Sequence, residues 1–119
     1  MAKILLVTNE GELARTLQAN LEEAKHTVIV TRAFHLAYSF VRENPDIKLI
    51  AWEFSVNSMG IVGGFYPKEI KQDFPLVLHV GISNIQALKD IFLAEGMSDV
   101  FTYTIAPYKI DKLCNSAEV

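Results

Sequence analysis

The sequence predicts an α/β fold, a three-layer α/β/α sandwich in which helices cover both faces of a five-stranded parallel sheet. Two observations support this prediction. Five short apolar runs, typical of strands buried on both faces, alternate with segments whose apolar residues recur at helical spacing. This alternation indicates βαβ units, whose right-handed crossovers place helices on both sides of a sheet. With 119 residues, half of them apolar, the chain is expected to form one domain (1–119) around a sizeable core.

The first helix is predicted over residues 10–24, because Leu13, Leu17 and Leu21 recur every four residues and mark an inward face. It follows the first strand (4–7), and Thr8 and Asn9 are its expected N-cap. The second strand (27–31) is β-branched throughout, and the helix after it ends at Asn44-Pro45.

The second half of the chain is less regular. Glycines 63 and 64 and Pro67 interrupt the third helix, so only residues 67–72 are predicted to be helical and this helix is short or irregular. The remaining strands are predicted at 49–53, 76–80 and 99–103. The last two helices are predicted at 83–94 and 108–113, and the tail 114–119 is expected to fray.

Composition excludes several classes of function. The net charge is −3 and the basic residues are scattered, so no direct nucleic-acid surface is predicted. Cys114 is the only cysteine, which excludes an intramolecular disulfide and a cysteine-based zinc site. The histidines share no ligand spacing, and neither a metal nor a cofactor is expected. No apolar run is long enough for a signal peptide or a membrane span, so we expect a cytoplasmic protein with no membrane partner.

The prediction of a functional site starts from the third strand, because its apolar run Leu49-Ile50-Ala51-Trp52 ends in the carboxylate of Glu53. In open α/β sheets, ligands and chemistry gather outside the carboxyl ends of the strands. Glu53 is therefore the first candidate for a functional residue.

The whole chain, from residue 3 to about 113, resembles the receiver domains of two-component response regulators. The resemblance rests on Lys3-Ile4-Leu5-Leu6-Val7, Pro45-Asp46, the run ending at Glu53, and Ala94-Glu95-Gly96-Met97-Ser98-Asp99. It implies the flavodoxin/CheY-like (βα)5 topology and a role in two-component signal transduction through a phosphorelay.

The resemblance also implies where functional residues would lie, and this chain departs from the family at each position. Glu53 falls on the phosphoacceptor Asp. The other positions carry Thr8, Asn9 and Glu10 at the acidic pair, Val80 or Gly81 at the Ser/Thr, and Tyr103 or Ala106 at the Lys. Phosphoryl transfer needs positioned positive charge, and Mg²⁺ needs carboxylate ligands. We therefore predict a non-enzymatic pseudo-receiver that acts by protein–protein interaction without phosphorylation.

Two alternatives stay open: a phosphoacceptor receiver with a displaced or Glu-based site, and a small-ligand-binding flavodoxin-like domain. Asp46 and Asp99 are the nearest spare carboxylates, but both are predicted at the wrong ends of their strands. The expected partners are proteins of a signalling pathway, with a homodimer as one variant.

Several side chains have two interpretations. Glu53 is either a partial mimic of an acyl phosphate or a solvated residue bonded to a backbone N–H. Tyr103 is either a contact residue on a partner surface or ordinary strand packing. The apolar loop 59–66, with Phe65 and Tyr66, either binds a partner or plugs the vacated site. His79 is expected to be a hydrogen-bonded core residue.

Overall fold

The computed structural model describes residues 2–8, 11–32, 36–53, 65–84, 89–94 and 96–117, and only the backbone of 65–68, 91, 92, 94, 116 and 117. Five strands form one parallel sheet in the order β2-β1-β3-β4-β5. The strands are β1 (Lys3–Val7), β2 (Thr27–Thr31), β3 (Ile47–Glu53), β4 (Leu78–Ile82) and β5 (Asp99–Phe101). The predicted α/β class and five-stranded parallel sheet are confirmed.

The described helices cover both faces of this sheet. They are α1 (Glu12–Glu23), α2 (Ala37–Glu43), α3 (Phe65–Asp73), α4 (Lys89–Ala94) and α5 (Ala106–Ala117). On one face Ile50 and Trp52 of β3 pack with α2 and with Ile70 of α3. On the other face Leu49 and Ala51 pack with α1 and α5. Alternate side chains of the central strand therefore pack into two separate cores, as expected for a sheet covered on both faces.

None of the helices in the described part of the chain has the length and apolar character needed to cross a bilayer.

The predicted start of the first helix was wrong. Gly11, in extended conformation, is the N-cap of α1 and supplies no side-chain cap, so Thr8 does not cap this helix. The inward face is formed by Ala14, Leu17 and Leu21, whereas Leu13 is 52% exposed. A four-residue repeat drifts around a helix of 3.6 residues per turn, and this drift carries Leu13 out of the buried stripe.

The fourth strand begins and ends two residues later than predicted. The N–H of Val77 donates to the carbonyl of Phe74 at 3.2 Å, which closes a turn before the strand. Leu76 lies in this turn and is 92% exposed. The predicted strand end at Val80 or Gly81 was therefore wrong, because both residues lie inside β4 and the strand continues to Ile82.

The last strand and helix also differ from the prediction. β5 ends at Phe101, two residues early, and α5 begins at Ala106, so Pro107 lies in its first turn, where a missing N–H costs little. The helix continues to Ala117, and Cys114 is fully buried in the core. The expected fraying was thus wrong for 114–117, and 118–119 lie outside the described residues.

The third helix begins at Phe65, two residues before its predicted start, so Pro67 is its third residue rather than its first. The glycine-containing stretch up to residue 64 lies outside the described residues, as do 33–35 and 85–88 of the predicted second and fourth helices. The predicted ends of those two helices, at Asn44 and Ala94, are confirmed.

Candidate functional site

The carboxyl edge of the sheet brings three candidate side chains together. Val7, the last residue of β1, lies opposite Trp52 in the register of β1 and β3. Thr8 and Glu53, the residues that follow this pair in the sequence, are therefore neighbours. The N–H of Thr8 donates to the carbonyl of Thr31 at 2.9 Å, which fixes the backbone just beyond the strand.

Glu53 lies at the centre of this edge and is only 8% exposed. Its Oε1 accepts a hydrogen bond from the hydroxyl of Thr8, and its Oε2 accepts one from the hydroxyl of Tyr103. A buried carboxylate needs such donors, because removal from water without partners costs several kcal/mol. The interpretation of Glu53 as a solvated strand-end residue was therefore wrong.

Tyr103 reaches Glu53 from a position two residues beyond β5. Its N–H donates to Oδ1 of Asn84 at 3.1 Å, outside the strand ladder. Burial raises the pKa of Tyr103 well above its usual range, and the hydrogen bond and negative charge of Glu53 raise it further. The phenol therefore stays neutral at physiological pH and presents a proton, not a positive charge, to the carboxylate.

The structure distinguishes the two residues considered for the lysine position by their surroundings. Ala106 is the first residue of α5 and is fully buried in the core. Tyr103 is the one whose side chain contacts Glu53. The correspondence of either residue with the family's lysine stays a prediction.

Sequence reasoning missed Ser83 as a hydroxyl residue at this edge. Because β4 ends at Ile82, Ser83 is the residue that directly follows the strand. It is 6% exposed, and its N–H donates to the carbonyl of Phe101 at 2.9 Å. The available signal was the run Val80-Gly81-Ile82, which is compatible with a strand that ends two residues later than the predicted one.

Trp52 and His79 form a buried pair beneath the edge, on the α2/α3 face. Nε1 of Trp52 donates to Nδ1 of His79 at 3.1 Å, and the two rings stack with centroids 6.2 Å apart. Burial, with a smaller contribution from the charge of Lys71, lowers the pKa of His79 to about 4. Nε2 of His79 makes no hydrogen bond. The prediction of a buried, hydrogen-bonded His79 is confirmed.

Three further titratable residues lie elsewhere: Asp46, Asp99 and His26. Asp46 precedes β3 and Asp99 begins β5, so both are at the amino edge, away from Glu53. His26 is a structural residue: its Nδ1 accepts from the N–H of Ala2 at 3.0 Å, and its Nε2 lies 2.7 Å from Asp111 Oδ1. No group of three His, Cys, Asp or Glu residues suited to a metal occurs within the described part of the chain.

Four of the candidate site residues lie wholly or partly outside the described residues. Asn9 and Glu10 of the predicted acidic pair are outside, and of Phe65 and Tyr66 only the helical backbone is described. Whether the loop 59–66 covers the site or faces a partner stays a prediction.

No protein-family model and no curated protein sequence matches the chain. Solved structures do match it. A putative response regulator from Chloroflexus aurantiacus superposes with a TM-score of 0.78 at 15% identity, over 98% of this chain and 96% of that chain. The chemotaxis protein CheY4 from Vibrio cholerae gives 0.74 at 15% identity, over 98% of both chains.

A third match is the complex of the Saccharomyces cerevisiae histidine phosphotransfer protein Ypd1 with the receiver domain of its response regulator Ssk1. It gives a TM-score of 0.65 at 20% identity, over 85% of this chain and 77% of that chain. The fold is that of a CheY-like receiver domain. At identities this low, the structural similarity establishes the fold but not the function, which has to be argued from the site.

Proposed function

We propose that this chain is a receiver-like signalling module that binds protein partners and is not switched by phosphorylation. One observation carries the proposal: the carboxylate of Glu53, at the phosphoacceptor position implied by the resemblance, is buried and held by the hydroxyls of Thr8 and Tyr103. The receiver fold supports the signalling role.

The charge balance at this edge opposes phosphoryl transfer. Catalysis of that reaction consists mostly of positioning and of neutralising charge on the transferred group. Tyr103 brings a neutral phenol to Glu53. Loss of one stabilising donor typically costs roughly 10²–10³ in rate. Absence of the positively charged lysine that the resemblance implies is expected to cost at least as much.

The described residues do not fit the magnesium site that the receiver fold implies. Mg²⁺ prefers hard oxygen ligands and is usually held by one or two carboxylates. The carboxylate that the structure places between the ends of β1 and β5 is Glu53, whose two oxygens already accept hydrogen bonds from Thr8 and Tyr103. A metal would have to share these oxygens with two hydrogen-bond donors in a largely buried site. We therefore assign no metal-dependent step to this chain.

The same hydrogen bonds suggest how the module signals without a phosphate. In our proposal Glu53 acts as a permanent, partial mimic of an acyl phosphate, with one negative charge where a phosphate carries nearly two. Through Tyr103 it ties the end of β5 to the end of β3 and presents a single conformation to partners. Those partners are proteins of a signalling pathway, with a second copy of the chain as one variant, and the role implies a cytoplasmic location.

The direct test is incubation of the protein with Mg²⁺ and the phosphodonor acetyl phosphate, followed by intact mass spectrometry. An unchanged mass is expected, under conditions that fully label an ordinary receiver domain in the same tube. A stable phosphoprotein would overturn the proposal.

The matched variant is Glu53→Asp, which restores the shorter acceptor but leaves Thr8 and Tyr103 in place. We expect it to stay unlabelled and to gain no Mg²⁺ affinity by isothermal titration calorimetry. Phosphorylation of this variant would mean that side-chain length alone prevents phosphorylation of the natural protein. It would contradict the role given to the hydroxyls of Thr8 and Tyr103.

A further inference from the structure

The opposite edge of the sheet carries a cluster of lysines that are far apart in the sequence. A cavity of about 330 Å³ there is lined by Ala2, Lys3, Lys25, Thr27, Asp46 and Lys48. Three lysines and a single aspartate thus line one cavity. Lys3 Nζ lies 2.9 Å from Asp46 Oδ2, and the side chain of Lys3 lowers the pKa of Asp46. The residues that line this cavity therefore carry more positive than negative charge, three lysines against one aspartate.

Lys25 occupies an unusual backbone conformation at this edge. It follows the end of α1 with a φ of 74°, in the left-handed region that glycine adopts at little cost and other residues rarely adopt. Its side chain is exposed. The chain therefore places a cation at a position where local backbone energetics favour glycine.

A larger apolar groove adjoins this cavity. It measures about 760 Å³, is lined by residues 45–48 and 73–77, and shares Asp46 and Lys48 with the lysine cavity. Most of its walls are apolar, and Leu76 on its rim is 92% exposed. Its second carboxylate, Asp73, accepts a hydrogen bond from the hydroxyl of Tyr38.

We propose that these two cavities form one docking surface for an extended peptide segment of a partner protein, rich in acidic and apolar residues. The charge selects acidic side chains for the lysine cavity, and the exposed Leu76 and neighbouring prolines select apolar ones for the groove. Small-molecule sites enclose most of their ligand, whereas a rim residue as exposed as Leu76 marks an open groove suited to a peptide.

This inference rests on the proposed function only in assigning the chain to protein binding. It concerns the edge opposite Glu53, so the phosphodonor experiment and the test below can fail independently of each other. Absence of phosphorylation at Glu53 would not bear on peptide binding at the opposite edge of the sheet.

The test titrates ¹⁵N-labelled full chain with synthetic dodecapeptides of matched length, and follows amide shifts by NMR. One peptide alternates Glu with Leu, a second alternates Lys with Leu, and a third alternates Glu with Ser. Only the Glu/Leu peptide is expected to bind, with shifts confined to residues 2–3, 25–27, 45–48 and 73–77.

Two variants and two matched controls make the test specific. Lys25→Gly removes a charge while suiting the positive φ, so thermal stability should hold or rise while peptide affinity falls at least threefold. Leu76→Ser is expected to weaken binding about tenfold without affecting the fold. Lys109→Ala on α5 and Leu13→Ser on α1 alter an exposed lysine and an exposed leucine elsewhere and should leave binding unchanged.

Several outcomes would overturn the proposal. These are equal binding of the Lys/Leu or Glu/Ser peptide, shifts that map to other residues, or no binding of any peptide at millimolar concentration. Tighter binding of dodecyl phosphate than of the Glu/Leu peptide would identify a small amphiphile as the occupant. Concentration-dependent self-association that Leu76→Ser abolishes would identify a second copy of the chain.

Discussion

The two ends of the same parallel sheet are built in opposite ways. At the carboxyl edge, Glu53 is 8% exposed and both of its carboxylate oxygens accept hydrogen bonds from hydroxyls. At the amino edge, Leu76 is 92% exposed and three lysines border an open cavity. In the fold this chain shares with receivers, the carboxyl edge is where ligands are expected. Here the described carboxylate of Glu53 at that edge accepts hydrogen bonds from side chains of the protein itself.

The difference follows from the cost of removing charge from water. A buried carboxylate is tolerated only with internal donors, so Glu53 is tied to Thr8 and Tyr103 and the interactions become part of the fold. The lysines at the amino edge border an open cavity, where their charged ends can stay hydrated and can also meet an external ligand. Substitutions at the first edge should therefore change stability, and substitutions at the second should change binding.

The largest expected effect concerns His79, which lies beneath the carboxyl edge. Its pKa in the folded protein is about 4, against an ordinary value of 6.5. Between these two pH values the unfolded chain binds more protons, so stability is lost as pH falls from about 6.5 through about 4. The difference corresponds to roughly 3 kcal/mol. Urea unfolding at a series of pH values measures it.

The matched variant for this prediction is His79→Gln, which keeps a side-chain acceptor for Nε1 of Trp52 and cannot titrate in this range. Its unfolding free energy should fall less steeply with acid than that of the wild type. Identical slopes in the two proteins would show that His79 is not the group responsible.

An intermediate effect is expected from the hydrogen bond between Tyr103 and Glu53. Tyr103→Phe removes a donor from a buried carboxylate and should cost about 1–3 kcal/mol of unfolding free energy. A double-mutant cycle with Glu53→Gln should give a coupling of about 1 kcal/mol or more. Tyr108→Phe is the control, because Tyr108 is 65% exposed and should show no comparable loss. Additive effects at Tyr103 and Glu53 would refute the coupling.

The smallest effect is expected at the amino edge. Leu76→Ala should change the unfolding free energy by no more than about 0.5 kcal/mol, because the side chain is already in water. The same substitution at the fully buried Leu21 should cost about 2–5 kcal/mol. A loss at Leu76 close to that at Leu21 would mean that the groove is part of the core, and the contrast between the two edges would fail.

The order of strands and helices was predictable because each depends on local sequence. Apolar runs mark strands covered on both faces, and helical spacing marks the segments between them. The ends of the strands were less predictable. A continuous apolar run does not show where a turn stops and hydrogen bonding to the neighbouring strand starts. Leu76 is as apolar as Leu78, but only Leu78 belongs to β4.

The candidate site was predictable only in part. The position of Glu53 at the tip of the third strand follows from the sequence pattern, and β3 does end there. Thr8 looked like a helix cap because caps are local, whereas its hydroxyl bonds a residue 45 positions away. Tyr103 had two interpretations, and its contact with Glu53 required the paths of β3 and β5 in space.

By itself, the sequence determined the fold class, the parallel sheet and the carboxylate at its centre, because periodicity and the ends of apolar runs are local properties. Only the tertiary structure decided which groups meet that carboxylate, and that three separated lysines share one cavity. The reason is physical: hydrogen bonds and charge clusters form between residues brought together by strand register and helix crossover. These distances are set by the packed core and not by spacing along the chain.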